Sequence, residues 1–276
     1  MQTASAHAIE KETGSLYADC FNKLHYEQWL SQGKLLADQL SLDADIIKDK
    51  ICLDAGCGHG SLVYQLHQLQ AKHVVGIDLW PCPPVDPFFN VSNVEFKQAS
   101  LMDLPFTNNS FDVVVSSGVL HHTINPAQGF KEMARVLKPG GLLVLGVYGK
   151  HGLFPYCLSL ARVLTVIIPI ISKKTVEWFI NWFKLDPIWR YQILDYLYVP
   201  ILRRYSPHQV INNFFQTNHI ISAHRISNIS DSKAQEHNKN KTSYSYDHRR
   251  WKNKILFGYG FIVVNGTKEN GSQASI

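Results

Sequence analysis

Short apolar runs alternate with amphipathic segments along the first 150 residues of the chain. The apolar runs predict five strands, at 51–54, 73–78, 94–98, 111–116 and 142–148. Apolar positions at helical spacing predict one or two helices over 17–42 and further helices at 60–70 and 126–137, the last ended by Pro139, Gly140 and Gly141. Strands that alternate with helices through short links indicate a parallel sheet with helices on both faces.

The pattern changes after Lys150 and becomes regular again after residue 205. Apolar and amphipathic segments at 153–171, 174–184 and 187–202 predict a helical insertion. Ser206 followed by Pro207 predicts a capped helix start, and 220–226 and 256–264 predict the last two strands. We therefore predict an α/β fold, a doubly wound and mainly parallel seven-stranded sheet with a helical insertion after the fifth strand.

These patterns divide the chain into five segments. They are an N-terminal helical segment at 1–45, a ligand-binding core at 46–150, a helical cap or lid at 151–205, a C-terminal helix with the last two strands at 206–267, and a tail at 268–276. Within the fourth segment, residues 227–254 are polar and predict a loop.

Composition and charge place few restrictions on function. Apolar residues make up 45% of the chain and charged residues 18%, which is typical of a soluble globular protein. A formal net charge of +5 permits acidic partners without requiring them. The five cysteines contain no C-x-x-C pair, and the N-terminus lacks the basic and apolar blocks of a signal peptide, so we expect a cytoplasmic protein with reduced thiols.

The apolar segment at 153–171 raises the question of a membrane span. Arg162 stands in its middle, at a cost of about 2.5–3.5 kcal/mol for insertion, and Pro155 and Pro169 interrupt it. We therefore expect a cap helix over a substrate pocket and no transmembrane span. An interfacial membrane contact and a homodimer remain open alternatives.

The stretch at 50–61, KICLDAGCGHGS, combines a strand, a glycine turn and the start of a helix. Gly56, Gly58 and Gly60 allow a ligand to approach bare backbone next to a helix N-terminus. A dinucleotide fingerprint would place its third glycine at position 61, where this chain has Ser61, and would not need the acid Asp54. The spacing therefore disfavours a dinucleotide-dependent oxidoreductase.

Five segments in a fixed order resemble the motifs of class I S-adenosylmethionine (SAM) dependent methyltransferases of the small-molecule type, which have a Rossmann-like fold. The segments are LDAGCGHGS at 53–61, GIDL at 76–79, DLPF at 103–106, FDVVVSSGVLHH at 111–122 and RVLKPGGLLVLGVY at 135–148. The resemblance covers about 50–148 and implies a transferase that uses S-adenosyl-L-methionine as its cofactor.

The resemblance also implies which residues bind the cofactor. They are Asp54, Gly56, Cys57, Gly58, Gly60, Asp78, Leu79, Ser100, Leu101, Ser117 and Gly118. Asp78 ends the second strand about 20 residues past the turn, the distance at which an acid reaches ribose hydroxyls. Ser117 and Gly118 would border the methionine part and the methyl group.

The chain departs from the family pattern at two places. Ser100 stands where the family often has an aspartate that accepts from the adenine amino group, and a hydroxyl accepts more weakly than a carboxylate. Asp103 aligns just ahead of the LPF turn, so we interpret it as a surface or cap residue. A proline-rich link replaces the helix after Asp78 and places Trp80 near the adenine site, where the indole either covers the purine or packs on the sheet edge.

Methyl transfer needs alignment of donor and acceptor and, for some acceptors, a base. His121, His122 and Tyr148 follow strands four and five and are the candidate catalytic residues, although each also suits a packing role. Tyr17, His25, Tyr26, His151 and Tyr156 are weaker candidates around the same pocket. No paired acids or histidine cluster at ligand spacing predicts a metal site.

The apolar and aromatic insertion favours a small or medium-sized organic acceptor with apolar or aromatic bulk, methylated on oxygen or nitrogen. The chain lacks the N-P-P-Y or D-P-P-Y motif of base-amine and glutamine methyltransferases after strand four. The basic stretch at 233–254 is interpreted as a solvated loop, so nucleic acid is not expected as a partner. Alternatives are a methyltransferase acting on protein or RNA, and a SAM-binding pseudoenzyme that serves as a partner module.

Overall fold

The computed structural model describes residues 9, 12–15, 17, 26–80, 91–150, 153–168, 172–183, 187–223 and 261–270. The strands are β1 (Ile51–Ala55), β2 (His73–Asp78), β3 (Val94–Gln98), β4 (Phe111–Ser117), β5 (Leu137–Tyr148), β6 (Ile220–Ala223) and β7 (Phe261–Lys268). The helices are α1 (Tyr26–Leu40), α2 (Ala44–Ile47), α3 (Ser61–Gln68), α4 (Pro126–Val136), α5 (Leu153–Ile167), α6 (Lys173–Trp182), α7 (Pro187–Tyr198) and α8 (Pro207–Val210).

The strands form one mixed sheet in the order β3-β2-β1-β4-β5-β7-β6. The first five strands pair in parallel, and β7 runs antiparallel to both β5 and β6. The predicted fold class, a doubly wound and mainly parallel seven-stranded sheet, is confirmed. Because β1, β2, β4 and β5 are parallel, their carboxyl ends meet at one edge of the sheet.

The fifth strand begins earlier than the predicted start at residue 142. Leu137 pairs with Phe111, and the register then shifts before Leu142 pairs with Val113. Helix α4 therefore ends at Val136, one residue before the predicted end, and Pro139, Gly140 and Gly141 lie within β5 at an irregularity of its pairing.

Two apolar clusters cover the two faces of the sheet. Phe130 and Met133 of α4 pack with Phe215 on one face, and Leu40 of α1 packs with Leu66 of α3 on the other. All five side chains are almost fully buried, which places helices on both faces as the sequence pattern predicts.

The LPF turn before β4 is held by an ion pair on α4. The carboxylate of Glu132 accepts from the N–H of Leu104 at 2.9 Å and pairs with Arg135 at 2.7 Å. The guanidinium of Arg135 in turn donates to the carbonyl oxygens of Leu104 and Phe106. The turn therefore has a structural anchor, and Asp103 beside it is exposed, as expected of a surface residue.

Helix α8 begins as the sequence predicts. The hydroxyl of Ser206 accepts from the N–H of Gln209, and the Gln209 side chain accepts in return from the N–H of Ser206, which forms a capping box with Pro207 at the first turn. The helix continues through a π turn at Ile211–Phe215.

Helices α5, α6 and α7 form the insertion after β5, with end points that differ by a few residues from the predicted ones. Arg162 of α5 faces inward and donates to the carbonyl oxygens of Tyr196, Val199 and Pro200 at the end of α7. Large apolar side chains of α5 and α6 are exposed on the other side: Leu153, Tyr156, Leu160, Val163, Leu164, Ile167, Trp178, Phe179 and Trp182. Within the described ranges, no helix combines the length and the apolar character that crossing a bilayer requires.

Several predictions concern residues outside the described ranges. These are the proline-rich link at 81–90, the polar loop at 227–254 with its basic stretch, and the residues His25 and His151. Strand β7 is described from Phe261 and continues to Lys268, beyond the predicted end at 264.

Candidate functional site

The glycine turn lies at the carboxyl end of β1, against the neighbouring end of β2. The N–H groups of Gly56 and Cys57 both donate to the carbonyl oxygen of Ile77, at 2.8 Å each. Gly56 has a φ of 94°, and a Cβ there would lie 2.2 Å from a methyl group of Val119. A side chain at position 56 would therefore strain the backbone and collide with the segment that follows β4.

Asp78 ends β2 with its carboxylate against this turn. One oxygen accepts from the N–H of Gly58 at 2.9 Å and the other from the N–H of Trp80 at 3.3 Å. Burial raises the pKa of Asp78, and these backbone hydrogen bonds oppose the increase. The structure thus brings together the glycine turn and the acid that the sequence predicts for ribose binding.

Asp54, the other acid of the glycine stretch, is 3% exposed at the end of β1. In the described part of the chain no donor forms a hydrogen bond to its carboxylate. The pKa of Asp54 is raised to about 7, mainly by burial and to a smaller extent by the negative charge of Asp78. A cationic group would neutralise this site, so the residues present fit the amino group of SAM.

The remaining predicted cofactor residues lie on both sides of the turn. The hydroxyl of Ser100 accepts from the N–H of Met102 at 3.2 Å, and the side chain of Leu101 is buried in the core. The carbonyl of Leu79 accepts from the side chain of Gln98. Ser100 therefore holds its own loop, and one of its lone pairs is already engaged.

Ser117 ends β4 next to the turn, and Gly118 follows it. The N–H of Gly118 donates to the carbonyl of Gly146 at 3.0 Å, and Gly118 has a φ of 79°. A Cβ at Gly118 would meet no atom within 4 Å, so this backbone faces open space. This is the space that the resemblance assigns to the methionine part.

The half-buried Trp80 lies against the N-terminal segment. A Cβ built on Gly14 would overlap the indole nitrogen of Trp80, at 1.3 Å. This contact is with the N-terminal segment, so both interpretations of this tryptophan, covering the purine or packing on the sheet edge, stay predictions.

A second group of polar side chains lies beyond Gly118, at the ends of β4 and β5. His121 and His122 belong to a short 3₁₀ helix at Leu120–His122, and Tyr148 ends β5. The ring centroid of Tyr148 is 4.3 Å from that of His121 and 4.9 Å from that of Tyr196. The structure therefore brings the three predicted catalytic candidates together.

The two histidines are shielded from solvent. His121 is fully buried and His122 is 7% exposed. Neither ring nitrogen of His121 has a hydrogen-bond partner among the described residues. Burial, followed by the charge of His122, holds the pKa of His121 well below its usual value. His121 is therefore neutral and out of direct reach of a ligand.

Sequence reasoning missed Asp195, which lies on α7 of the insertion and is 1% exposed. Its carboxylate accepts from the hydroxyl of Tyr17 at 2.6 Å and from the hydroxyl of Tyr148. Its nearer oxygen is also 3.5 Å from Nε2 of His122. One signal was available, because Asp195 is the only acid of this helix and stands among the apolar and aromatic residues of its second half. The weaker candidate Tyr17 joins this cluster, whereas Tyr26 and Tyr156 are exposed.

Comparisons with known proteins support S-adenosyl-L-methionine as the cofactor. Residues 53–145 match a family model described as a methyltransferase domain. The fold resembles a putative methyltransferase solved in complex with the Trm112 activator of Haloferax volcanii, with a TM-score of 0.59 and 17% identity over 94% of this chain and 98% of that one. It also resembles 1,6-didemethyltoxoflavin-N1-methyltransferase of Burkholderia thailandensis, solved with S-adenosylhomocysteine, with a TM-score of 0.59 and 13% identity over 98% of this chain and 91% of that one.

Curated relatives share more sequence over a shorter stretch. A tRNA U34 carboxymethyltransferase of Campylobacter fetus is 35% identical over 34% of this chain and 35% of its own length. The corresponding enzyme of Desulfotalea psychrophila is 26% identical over 56% of this chain and 49% of its own. A probable tRNA methyltransferase 9B of Mus musculus is 30% identical over 54% of this chain and 30% of its own. The chain thus spans half or less of these relatives.

These relatives correct two predictions. The expectation of a small organic acceptor is wrong, and so is the expectation that nucleic acid is not a partner, because the relatives are named for tRNA. The error has a physical origin. The apolar side chains of the insertion were interpreted as the lining of a substrate pocket, whereas many of them on α5 and α6 point away from the protein.

Proposed function

We propose that this chain, which belongs to the class I SAM-dependent methyltransferases, transfers a methyl group to tRNA. The assignment of tRNA as the substrate rests on the similarity to tRNA-modifying relatives, which extends beyond the cofactor motifs. A net charge of +5 supports a polyanionic partner, because cationic side chains release counterions from the phosphate backbone.

The cofactor would occupy the space between the ends of β1, β2 and β4. Asp54 would pair with its amino group, and Asp78 would accept from its ribose hydroxyls after exchanging at least one backbone hydrogen bond. The glycine turn and Gly118 would leave the backbone open to it. SAM supplies a methyl group that is already activated on a sulfonium centre, so the chain mainly has to align the acceptor and receive its proton.

The acceptor would enter beyond Gly118, where Tyr148 is the half-buried member of the polar cluster. His122 and Asp195 lie behind it and are shielded from water. We place the protein in the cytoplasm, where tRNA is modified, and the free thiols of Cys52 and Cys157 are consistent with a reducing compartment.

The experiment follows the methyl group. The full chain is incubated with methyl-labelled SAM and either bulk tRNA or ribosomal RNA, and the labelled nucleoside is identified by digestion and mass spectrometry. We expect label in tRNA, in a mass that corresponds to a methyl and not a carboxymethyl group. Increasing salt should reduce tRNA binding steeply, because phosphate contacts depend on ionic strength.

The matched control is Asp78→Ala, which should lose labelling together with SAM affinity. A wild-type protein that binds SAM in calorimetry but labels neither tRNA nor any other RNA would contradict the proposed substrate.

A further inference from the structure

The buried carboxylate of Asp195 connects three separate parts of the chain. It belongs to α7 of the insertion, and it accepts from Tyr17 of the N-terminal segment and from Tyr148 at the end of β5. A buried carboxylate is retained only where several donors satisfy it, and here two of those donors are phenolic hydroxyls. The insertion therefore takes part in the same polar cluster as the strand end.

The tautomer of His122 follows from its neighbours. Its Nδ1 lies 2.7 Å from the carbonyl oxygen of Ile201, and a carbonyl can only accept, so Nδ1 carries the hydrogen. In the neutral ring the lone pair is then on Nε2, which has no hydrogen-bond partner among the described residues. Nε2 points towards Asp195, with 3.5 Å between it and the nearer carboxylate oxygen.

A lone pair that faces a carboxylate is repelled, unless a proton lies between the two atoms. The gap between His122 and Asp195 is therefore a place where one proton can be taken up. Once protonated, the imidazole would form an ion pair with the carboxylate and keep its hydrogen bond to Ile201.

Charged groups on the elements packed against His122 also affect its pKa. Burial is the largest cause that lowers the pKa of His122, and Arg162 and Arg203 lower it further. The charge of Asp195 and the hydrogen bond to Ile201 raise it. The guanidinium of Arg203 donates to the carbonyl oxygens after the 3₁₀ helix, which fixes the histidines in place. At rest the histidine is neutral and able to accept a proton.

Access to this pair passes through Tyr148. Asp195 and His122 are almost fully buried, whereas Tyr148 is half-buried at the sheet edge where the acceptor would enter. Its ring is held between His121 and Tyr196, so the hydroxyl has little freedom to turn away from Asp195.

We propose that Asp195 is a positioning residue of the insertion, which aims the Tyr148 hydroxyl at the acceptor and conducts the acceptor's proton to His122. The inference rests on the proposed function, for an acceptor atom that bears a proton. The acceptor lone pair forms the new bond to carbon, while the methyl–sulfur bond breaks and leaves its electron pair on sulfur. The acceptor proton moves to the Tyr148 oxygen as the tyrosine's own proton moves to Oδ2 of Asp195. The protonated carboxyl group then turns and gives that proton to Nε2 of His122, which faces the other carboxyl oxygen.

The first test is a nuclear magnetic resonance titration of His122 in the full chain, with no cofactor or tRNA present. The wild-type ring should show the Nδ1–H tautomer when neutral. In Asp195→Asn its pKa should decrease, because the carboxylate that favours the charged ring has been removed. The matched control is Glu177→Gln on α6 of the same insertion, which should leave the His122 titration unchanged. An unchanged titration in Asp195→Asn would overturn the inference whatever the acceptor is.

The second test is kinetic. In both Asp195→Asn and Tyr148→Phe, kcat for tRNA should decrease about 100-fold or more, the range for loss of acid–base assistance. Calorimetry should show SAM affinity within about twofold of wild type, since the change lies outside the cofactor site. The pH–rate profile should lose the limb that reports His122, and Asp195→Glu should restore part of kcat. Unchanged kcat and pH profile in both variants would overturn the inference.

The two proposals fail in different ways. Absence of tRNA labelling by the wild-type protein would overturn the proposed function, and the titration would still decide the pairing of His122 with Asp195. Because Tyr148→Phe removes only a hydroxyl, circular dichroism should show a folded protein even if Asp195→Asn is unstable.

Discussion

The two halves of the candidate site are built in different ways. The cofactor half uses residues that are close in sequence, with Asp54 and the glycine turn on one continuous stretch and Asp78 on the adjacent strand. The acceptor half uses Tyr17, His122, Tyr148 and Asp195, which are far apart in sequence and meet only through tertiary packing. The cofactor half can therefore be identified from motifs, whereas the acceptor half depends on how the insertion and the N-terminal segment pack.

If the two halves of the site are energetically independent, substitutions at the glycine turn should reduce SAM affinity more than they affect the acceptor half. In Gly56→Val the new side chain would require an unfavourable backbone angle and would overlap Val119, so we expect SAM affinity to decrease at least about 100-fold. Calorimetry measures it. The matched control is Gly140→Val, which also has a positive φ but lies in the turn that precedes the main part of β5, and should retain SAM affinity. Equal losses in both would show general destabilisation.

Asp54, the buried acid of the cofactor half, should make the unfolding free energy depend on pH. The pKa of Asp54 is raised from 3.8 to about 7, so the folded chain holds a proton there that the unfolded chain has lost. The unfolding free energy should therefore decrease as the pH rises from about 4 to about 7, by up to about 4 kcal/mol from this group. Asp54→Asn should remove that dependence, stabilise the SAM-free protein at pH 8 and weaken SAM binding. Urea unfolding at pH 5 and pH 8 measures the difference, and parallel pH dependence in both proteins would contradict it.

Asp78 tests whether the second acid of the cofactor half binds ribose. Asp78→Ala should weaken SAM binding by about 1–3 kcal/mol through loss of charge-assisted hydrogen bonds. Calorimetry with SAM checks this, and Asp103→Ala, an exposed acid beyond β3, is the matched control that should bind normally. An unchanged affinity in Asp78→Ala would mean that the ribose lies elsewhere.

The smallest expected effect concerns the N-terminal contact of the acceptor half. Tyr17→Phe removes the hydroxyl that donates to Asp195 at 2.6 Å, so the unfolding free energy should decrease by about 1 kcal/mol. SAM affinity should not change, because the contact lies in the other half of the site. Urea unfolding and calorimetry check the two values, and a loss of SAM affinity would show that the halves are coupled.

The positions of the glycine turn and its two acids at one sheet edge could be predicted because each part has a local cause. Alternating strands and helices predict the parallel sheet, whose carboxyl ends bring Asp54, Asp78 and Gly118 to one edge. Ser206 and Pro207 likewise predict a helix start that needs no tertiary contact. The ion pair of Glu132 and Arg135, which holds the LPF turn, had no comparable signal, since an i, i+3 ion pair on a helix is commonly a surface feature.

The substrate was predicted wrongly for a related reason. Helix α5 has an apolar sequence, and hydrophobicity alone predicted that its apolar face is buried over a pocket. In the structure Arg162 is turned inward because its guanidinium satisfies the carbonyl groups at the end of α7, and this rotation leaves Leu160 and Ile167 outside. Which face of a helix is buried depends on the elements packed against it, and the periodicity of its sequence does not identify those elements.

Sequence patterns alone were sufficient for a mainly parallel seven-stranded sheet, for the glycine turn and for the two acids beside it, because backbone geometry and short-range spacing decide those features. Only the folded chain shows that Asp195 reaches Tyr17 and Tyr148, and that His122 faces the same carboxylate. A contact between residues far apart in sequence is decided by the packing of whole helices, and no local pattern encodes that packing.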